Sequence, residues 1–107
     1  MLEIELMKRV CFVLQVKPEL VDEYKKAHEP VWPEMLKAMS DAGIRNYSIF
    51  LRANGELINC LEAEDPEESL RRVGETDVCR RWQEYMSSYF VPGPGGQEWV
   101  EEVFFMA

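Results

Sequence analysis

Asn54-Gly55 stands between two runs, IRNYSIFL and ELINCLEAE, and restricts the fold more than any other dipeptide in the chain. Asn-Gly flanked by strand-like runs is the strongest short-range hairpin signal, because both central residues of the two-residue turn take positive φ and these residue types do so at least cost. Residues 44–51 and 56–64 are therefore expected to form an antiparallel pair. What precedes and follows that pair decides the architecture. KRVCFVLQV, residues 8–16, is rich in β-branched and aromatic residues and reads as a strand. Val10, Phe12, Leu14 and Val16 occupy one of its faces and Cys11 and Val13 the other, so both faces expect cover. From Pro18 the apolar residues Leu20, Tyr24, Ala27, Val31, Met35, Leu36 and Met39 follow helical spacing to a stop at Gly43. Pro30 and Pro33 each remove a backbone donor, which kinks that helix or divides it in two.

Helical spacing resumes from Pro66 to about Tyr89, interrupted at Gly74, with Thr76 or Asp77 available to cap a second segment. PGPGG at 92–96 is a loop, and EWVEEVFFM at 98–106 reads as a last strand. The order β-α-β-β-α-β is that of an α+β ferredoxin-like domain, an antiparallel sheet with its helices on one face. Strands apolar on both faces then imply that two copies pack sheet against sheet, or enclose a cavity between them.

With 107 residues the chain is one domain, near the lower end of sizes that bury a self-sufficient core, which adds to the expectation of a homo-oligomer. Its net charge of −8 repels phosphate backbones, and the basic residues are dispersed apart from Arg71/Arg72 and Arg80/Arg81, so nucleic acid is not an expected partner. No segment approaches the length of a membrane span, and MLEIELMKRV lacks the apolar stretch of a secretory signal, which points to the cytoplasm. Cys11, Cys60 and Cys79 have no C-x-x-C spacing and lie in apolar segments, as reduced, buried thiols do. One histidine and no cysteine cluster leave a zinc ion almost no ligands.

That histidine, His28, lies in EYKKAHEPVWPEM at residues 23–35. Tyr24 is four positions before it, so on a continuous helix the two share a face and can converge on one ligand. Imidazole is the side chain best suited to moving a proton both ways near neutrality. The plainer alternative is a surface histidine near a helix end. Trp82 and Tyr85 form an aromatic stripe on the last helix, a pattern that belongs to a core more often than to a binding platform, and Tyr47 on the second strand is equally ambiguous. Trp32, between the prolines, most simply packs the kink. The carboxylates read as solvated faces, and neither a phosphate loop nor a nucleophile motif is visible.

Several spaced motifs together carry more than their periodicity. MKRVCFVLQV through EYKKAHEPVWPEM, the NYSIFL strand with its Asn-Gly turn, TDVCRRW and the closing EVFF resemble the L-rhamnose mutarotase family. The resemblance runs from Met7 to the end, making residues 7–107 a single mutarotase-like domain and residues 1–6 an extension or alternative start. It implies a ferredoxin-like domain pairing into a dimeric α/β barrel, a cytoplasmic homodimer, and cofactor-free interconversion of the α and β anomers of L-rhamnose or a related 6-deoxy sugar. It implies His28 as the catalytic proton donor, and Tyr24, Tyr47 and Trp82 as sugar-contacting residues. What removes the anomeric proton is open among Tyr24, a carboxylate and a bound water. Family members commonly carry a second tryptophan after the first, where this chain has Gln83; an amide there favours a sugar with an extra or differently oriented hydroxyl, L-fucose among the candidates. Fold analogy offers two alternatives: a monooxygenase-like or haem-binding barrel using His28 as base or ligand, and a non-enzymatic small-ligand-binding barrel.

Overall fold

The computed structural model describes residues 7–91 and 98–106. Strand β1 (Lys8–Gln15) leads through a single 3-10 turn into helices α1 (Val21–His28) and α2 (Pro33–Asp41). Strands β2 (Arg45–Leu51) and β3 (Glu56–Ala63) follow, then helices α3 (Pro66–Gly74) and α4 (Asp77–Met86), and finally strand β4 (Glu98–Val100). The sheet runs β2-β3-β1-β4 with every neighbour antiparallel, the expected ferredoxin-like topology. Each helical connection is divided. The prolines split the first one outright, since α1 ends at His28 and Pro33 opens α2, where its missing N–H is harmless. In the second, the Asp65 carboxylate accepts from Glu68 N at the start of α3. Thr76, rather than Asp77, caps α4 by accepting from Cys79 N at 3.2 Å.

The inward row of the sheet carries Phe12, Val16, Leu57 and Leu61, all essentially inaccessible. They pack beneath Met35, Val73, Val78, Cys79, Trp82 and Met86 of the helices. Cys11, Val13, Ile58 and Cys60 occupy the opposite face with Phe50, which is 60% exposed. Cys79 is buried as expected, but Cys11 and Cys60 are only half-buried and face each other across β1 and β3 as free thiols. Among the described residues no helix packs over their row of the sheet.

The hairpin forms at the expected place with a different turn. Only Gly55 has positive φ, at 93°, while Asn54 stays out of the left-handed region. Gly55 N donates to Arg52 O, and Arg52 N to Glu56 O, each at 2.9 Å, closing a loop one residue longer than the Asn-Gly signal predicts. The Asn54 side chain instead accepts from Glu56 N at 3.1 Å. Steric room also requires the glycine, because a Cβ there would strike the carbonyl of Val16.

A second departure lies in β2. Arg45 pairs with Glu62 and Ser48 with Cys60, so two residues, Asn46 and Tyr47, stand against Leu61 alone. Asn46 takes the left-handed conformation, φ 50°, that makes such a bulge possible, and its amide donates to Glu62 Oε1 at 2.7 Å. Beyond the bulge Tyr47, Ile49 and Leu51 turn toward the helices and Phe50 away from them.

The last strand is shorter than expected. Only residues 98–100 pair with β1, and 101–106 have no regular structure, because Glu101 and Glu102 break the apolar alternation after Val100. Val103, Phe104, Phe105 and Met106 are exposed, and the Phe105 ring centroid lies 4.4 Å from the Arg9 guanidinium carbon. The expected PGPGG loop and residues 1–6 fall outside the described residues.

Candidate active site

Tyr24 and His28 occupy successive turns of α1, and their rings lie 5.3 Å apart. Since α1 stops at His28, the imidazole sits at a helix end against α4, with its ring 5.5 Å from Trp82 and nearly perpendicular to it. Trp82 is held in turn by Trp32 at 5.0 Å and Tyr85 at 5.8 Å. Trp32 thus packs the split between the helices, as its position suggests, and also buttresses the tryptophan that His28 touches. On the other side Tyr24 meets Tyr89 and Phe90 edge-on.

These residues border a cavity of about 430 Å³ between the inward face of the sheet and helices α1, α2 and α4. Sites for small molecules commonly have this size, an apolar lining and a few converging polar groups. His28, Tyr24, Tyr47, Trp82 and Gln83, the five residues singled out from sequence, all line it. Leu14, Met35, Met39 and Leu57 supply apolar wall. Among the described residues no aspartate or glutamate lines it, so of the three groups open as proton acceptors the carboxylate is not at hand.

Sequence reasoning missed Asn59, which is 1% exposed on β3 and lines the same cavity. A signal was present: in the alternating run Leu57, Asn59, Leu61, Ala63 a single amide interrupts an otherwise apolar inward row. Tyr47 Oη donates to Asn59 Oδ1 at 3.0 Å.

Burial sets the electrostatics. It pushes His28 below the ordinary 6.5, opposed by a hydrogen bond with the residue's own backbone. The imidazole therefore favours its neutral form, and its protonated form is a stronger acid than in water. Tyr24 is pushed up to about 12 and Tyr47 still higher, both chiefly by burial, so both phenols keep their protons and offer hydroxyl groups rather than phenolates. The Cys79 thiol is also raised by burial, against a hydrogen bond from Gln83. A wider groove of about 640 Å³ elsewhere is lined by charged residues including Arg45, Glu62 and Arg72, and lacks the aromatic surface that small apolar-polar ligands use.

A ferredoxin-like sheet whose inward face opens on an aromatic cavity with one histidine defines an α+β protein equipped for acid–base chemistry on a compact, partly apolar molecule. The family model for L-rhamnose mutarotase matches residues 9–106. The L-rhamnose mutarotase of Shigella flexneri serotype 5b is 34% identical over 103 residues, covering 94% of this chain and 99% of that protein. That of Escherichia coli O8 is 36% identical over 104 residues, with the same coverage. The chain belongs to the L-rhamnose mutarotase family. The crystal structure of L-rhamnose mutarotase from Formosa agariphila shares the fold with a TM-score of 0.79 at 22% identity, over 94% of this chain and 99% of that one. A putative antibiotic biosynthesis monooxygenase from Nitrosomonas europaea aligns at a TM-score of 0.60 and 12% identity, over 88% of this chain and 86% of that one. That second likeness is one of fold alone, and favours neither alternative over mutarotation.

Proposed function

We propose that this chain, a sugar mutarotase by family, takes the pyranose ring of L-rhamnose or a related 6-deoxy sugar into the cavity beside His28. Ring opening requires a proton on the ring oxygen and loss of one from the anomeric hydroxyl, after which the aldehyde rotates and recloses on its other face. His28 supplies the ring-oxygen proton and recovers it on closure. Tyr24 and Tyr47, held neutral by burial, meet ring hydroxyls. A water is the proton acceptor that best suits a site whose phenols are held protonated. Trp82 offers its flat surface to the sugar's apolar face, and the wall of Leu14, Met35 and Met39 suits a methyl group at C6. Gln83, where relatives commonly have tryptophan, adds an amide that favours a differently oriented hydroxyl.

The observation that carries this reading is the chain's only histidine standing in the wall of an aromatic cavity with Tyr24, Tyr47, Trp82 and Gln83. Saturation-transfer NMR of anomer exchange on L-rhamnose and L-fucose tests it. Wild-type protein should accelerate at least one sugar and folded His28→Ala should lose nearly all of that acceleration. Acceleration that persists in His28→Ala removes His28 from the chemistry.

We further infer that the bare sheet face pairs with a second copy to close the dimeric barrel. Supporting this are Phe50, Val100, Val103, Phe104 and Met106, apolar side chains about half to nearly nine-tenths exposed in the single chain. Three free thiols, two of them directly opposed, suit a reducing compartment such as the cytoplasm.

A further inference from the structure

Asn59 lies between Leu57 and Leu61 on the inward row of β3 and faces Phe12 and Ile49 on the neighbouring strands. An amide in such a layer is costly unless its polar atoms are satisfied. Its orientation is decided by its neighbours. Asn59 Nδ2 lies 3.4 Å from the carbonyl oxygen of Leu57, a long contact but one that only a donor can make. An oxygen in that place would face a second acceptor, so the orientation with the nitrogen toward Leu57 and Oδ1 toward Tyr47 is the one that satisfies both contacts. Tyr47 has one hydroxyl hydrogen, and the 3.0 Å bond to Oδ1 uses it.

The remaining lone pairs of Tyr47 Oη have no partner among the described residues, while the residue itself lines the cavity. A phenol so arranged accepts a hydrogen bond and cannot give one. We propose that Asn59 is a positioning residue that fixes Tyr47 as an acceptor, so that the sugar position meeting Tyr47 must carry a hydroxyl that donates. The inference rests on the reading that the sugar occupies this cavity. It adds a selection rule, because a substituent that accepts but cannot donate is rejected even when it matches a hydroxyl in size. Burial, which keeps the phenol protonated, works in the same direction. Without Asn59 Oδ1, the Tyr47 hydroxyl is free to rotate and donate into the cavity, and the rule disappears.

The test uses L-rhamnose and its 2-, 3- and 4-deoxyfluoro analogues, in which fluorine keeps the approximate size of the hydroxyl but has no hydrogen. Anomer exchange is measured with wild type, Asn59→Leu, Asn59→Asp and Tyr47→Phe. One analogue should lose roughly tenfold in kcat/KM with wild type, chiefly through KM, as expected when a buried acceptor is left unpaired. Asn59→Asp retains an acceptor toward Tyr47 and should keep that discrimination. Asn59→Leu, which frees the Tyr47 hydroxyl to donate, and Tyr47→Phe, which removes it, should each bring analogue and parent to within about twofold of each other. If wild type accelerates the parent sugar but treats all three analogues alike, Asn59 has no such role and mutarotation stands. Discrimination unchanged in Asn59→Leu also overturns the assignment. Failure to accelerate the parent sugar or L-fucose overturns both readings. Should Asn59→Leu not fold, the wild-type series with Asn59→Asp decides.

Discussion

Trp82→Ala should injure the protein more than any other single truncation around the cavity, and the structure gives the size of the effect. Trp82 is 7% exposed and its ring meets those of His28, Trp32 and Tyr85 at 5.5, 5.0 and 5.8 Å. Truncating a buried tryptophan costs about 3–5 kcal/mol. A domain of this length has roughly 5–15 kcal/mol of total stability. The loss is therefore at least about a fifth of what holds the fold, and at about 4–8 °C per kcal/mol it corresponds to a fall of roughly 12–40 °C in Tm. Trp82→Phe keeps a flat ring against His28 and Trp32 and should lose much less. The assay is thermal unfolding by circular dichroism for both variants, with anomer exchange measured at a temperature where each is folded. In Trp82→Phe the KM should rise while His28 continues to work. A Trp82→Ala protein melting within about 5 °C of wild type would mean the indole is not a packed wall of the cavity, and the role assigned to its face would be wrong.

The remaining predictions concern pH and assembly. Since burial lowers the pKa of His28 and its protonated form is the proposed donor, kcat/KM should decline as pH rises through a value below 6.5, a limb absent from His28→Gln; a rise through that value would make the neutral imidazole the working form. The stability effect has the opposite direction: the unfolded chain takes up the proton first as pH falls, so the contribution is complete above 6.5 and is lost below it. Thermal melts of wild type against His28→Gln between pH 5 and 8 check that difference. For the bare sheet face, Phe50→Glu should convert a dimer to monomer in sedimentation velocity; a monomeric wild type removes the inferred pairing.

The fold was legible where chemistry is local and periodic. Pro30 and Pro33 announce the break after His28, and Thr76 is a cap within a stretch any helix start would need. Features set by the partner strand were not. Asn54 suggests a turn in which both central residues are left-handed, but the loop closes one residue wider and uses only Gly55, whose carbonyl accepts from Val16 N on the neighbouring strand segment. EWVEEVFFM looks like one strand until two adjacent glutamates interrupt it. The site was half legible. His28 and Tyr24 share a helix face, which spacing states directly, whereas Gln83 reaching the cavity follows from where α4 lies over the sheet. Asn59 was overlooked because an amide inside a strand gains meaning only from the hydroxyl opposite it, and that hydroxyl arrives by way of a bulge.

The bulge at Asn46 changes the reading frame of β2. Ile44, before it, is in the core at an even position, whereas Tyr47, Ile49 and Leu51 face inward at odd ones. One strand is thus written in two parities, joined at a residue in the left-handed conformation. Removing that residue would leave Tyr47 alone opposite Leu61 and still inward, whereas pairing the same residues without the bulge would send Tyr47 to the far side of the sheet and bring Phe50 inward. The phenol's place in the cavity therefore depends on the bulge as much as on its identity, since the same residues paired in unbroken register would present a different surface to a sugar while retaining every side chain named here.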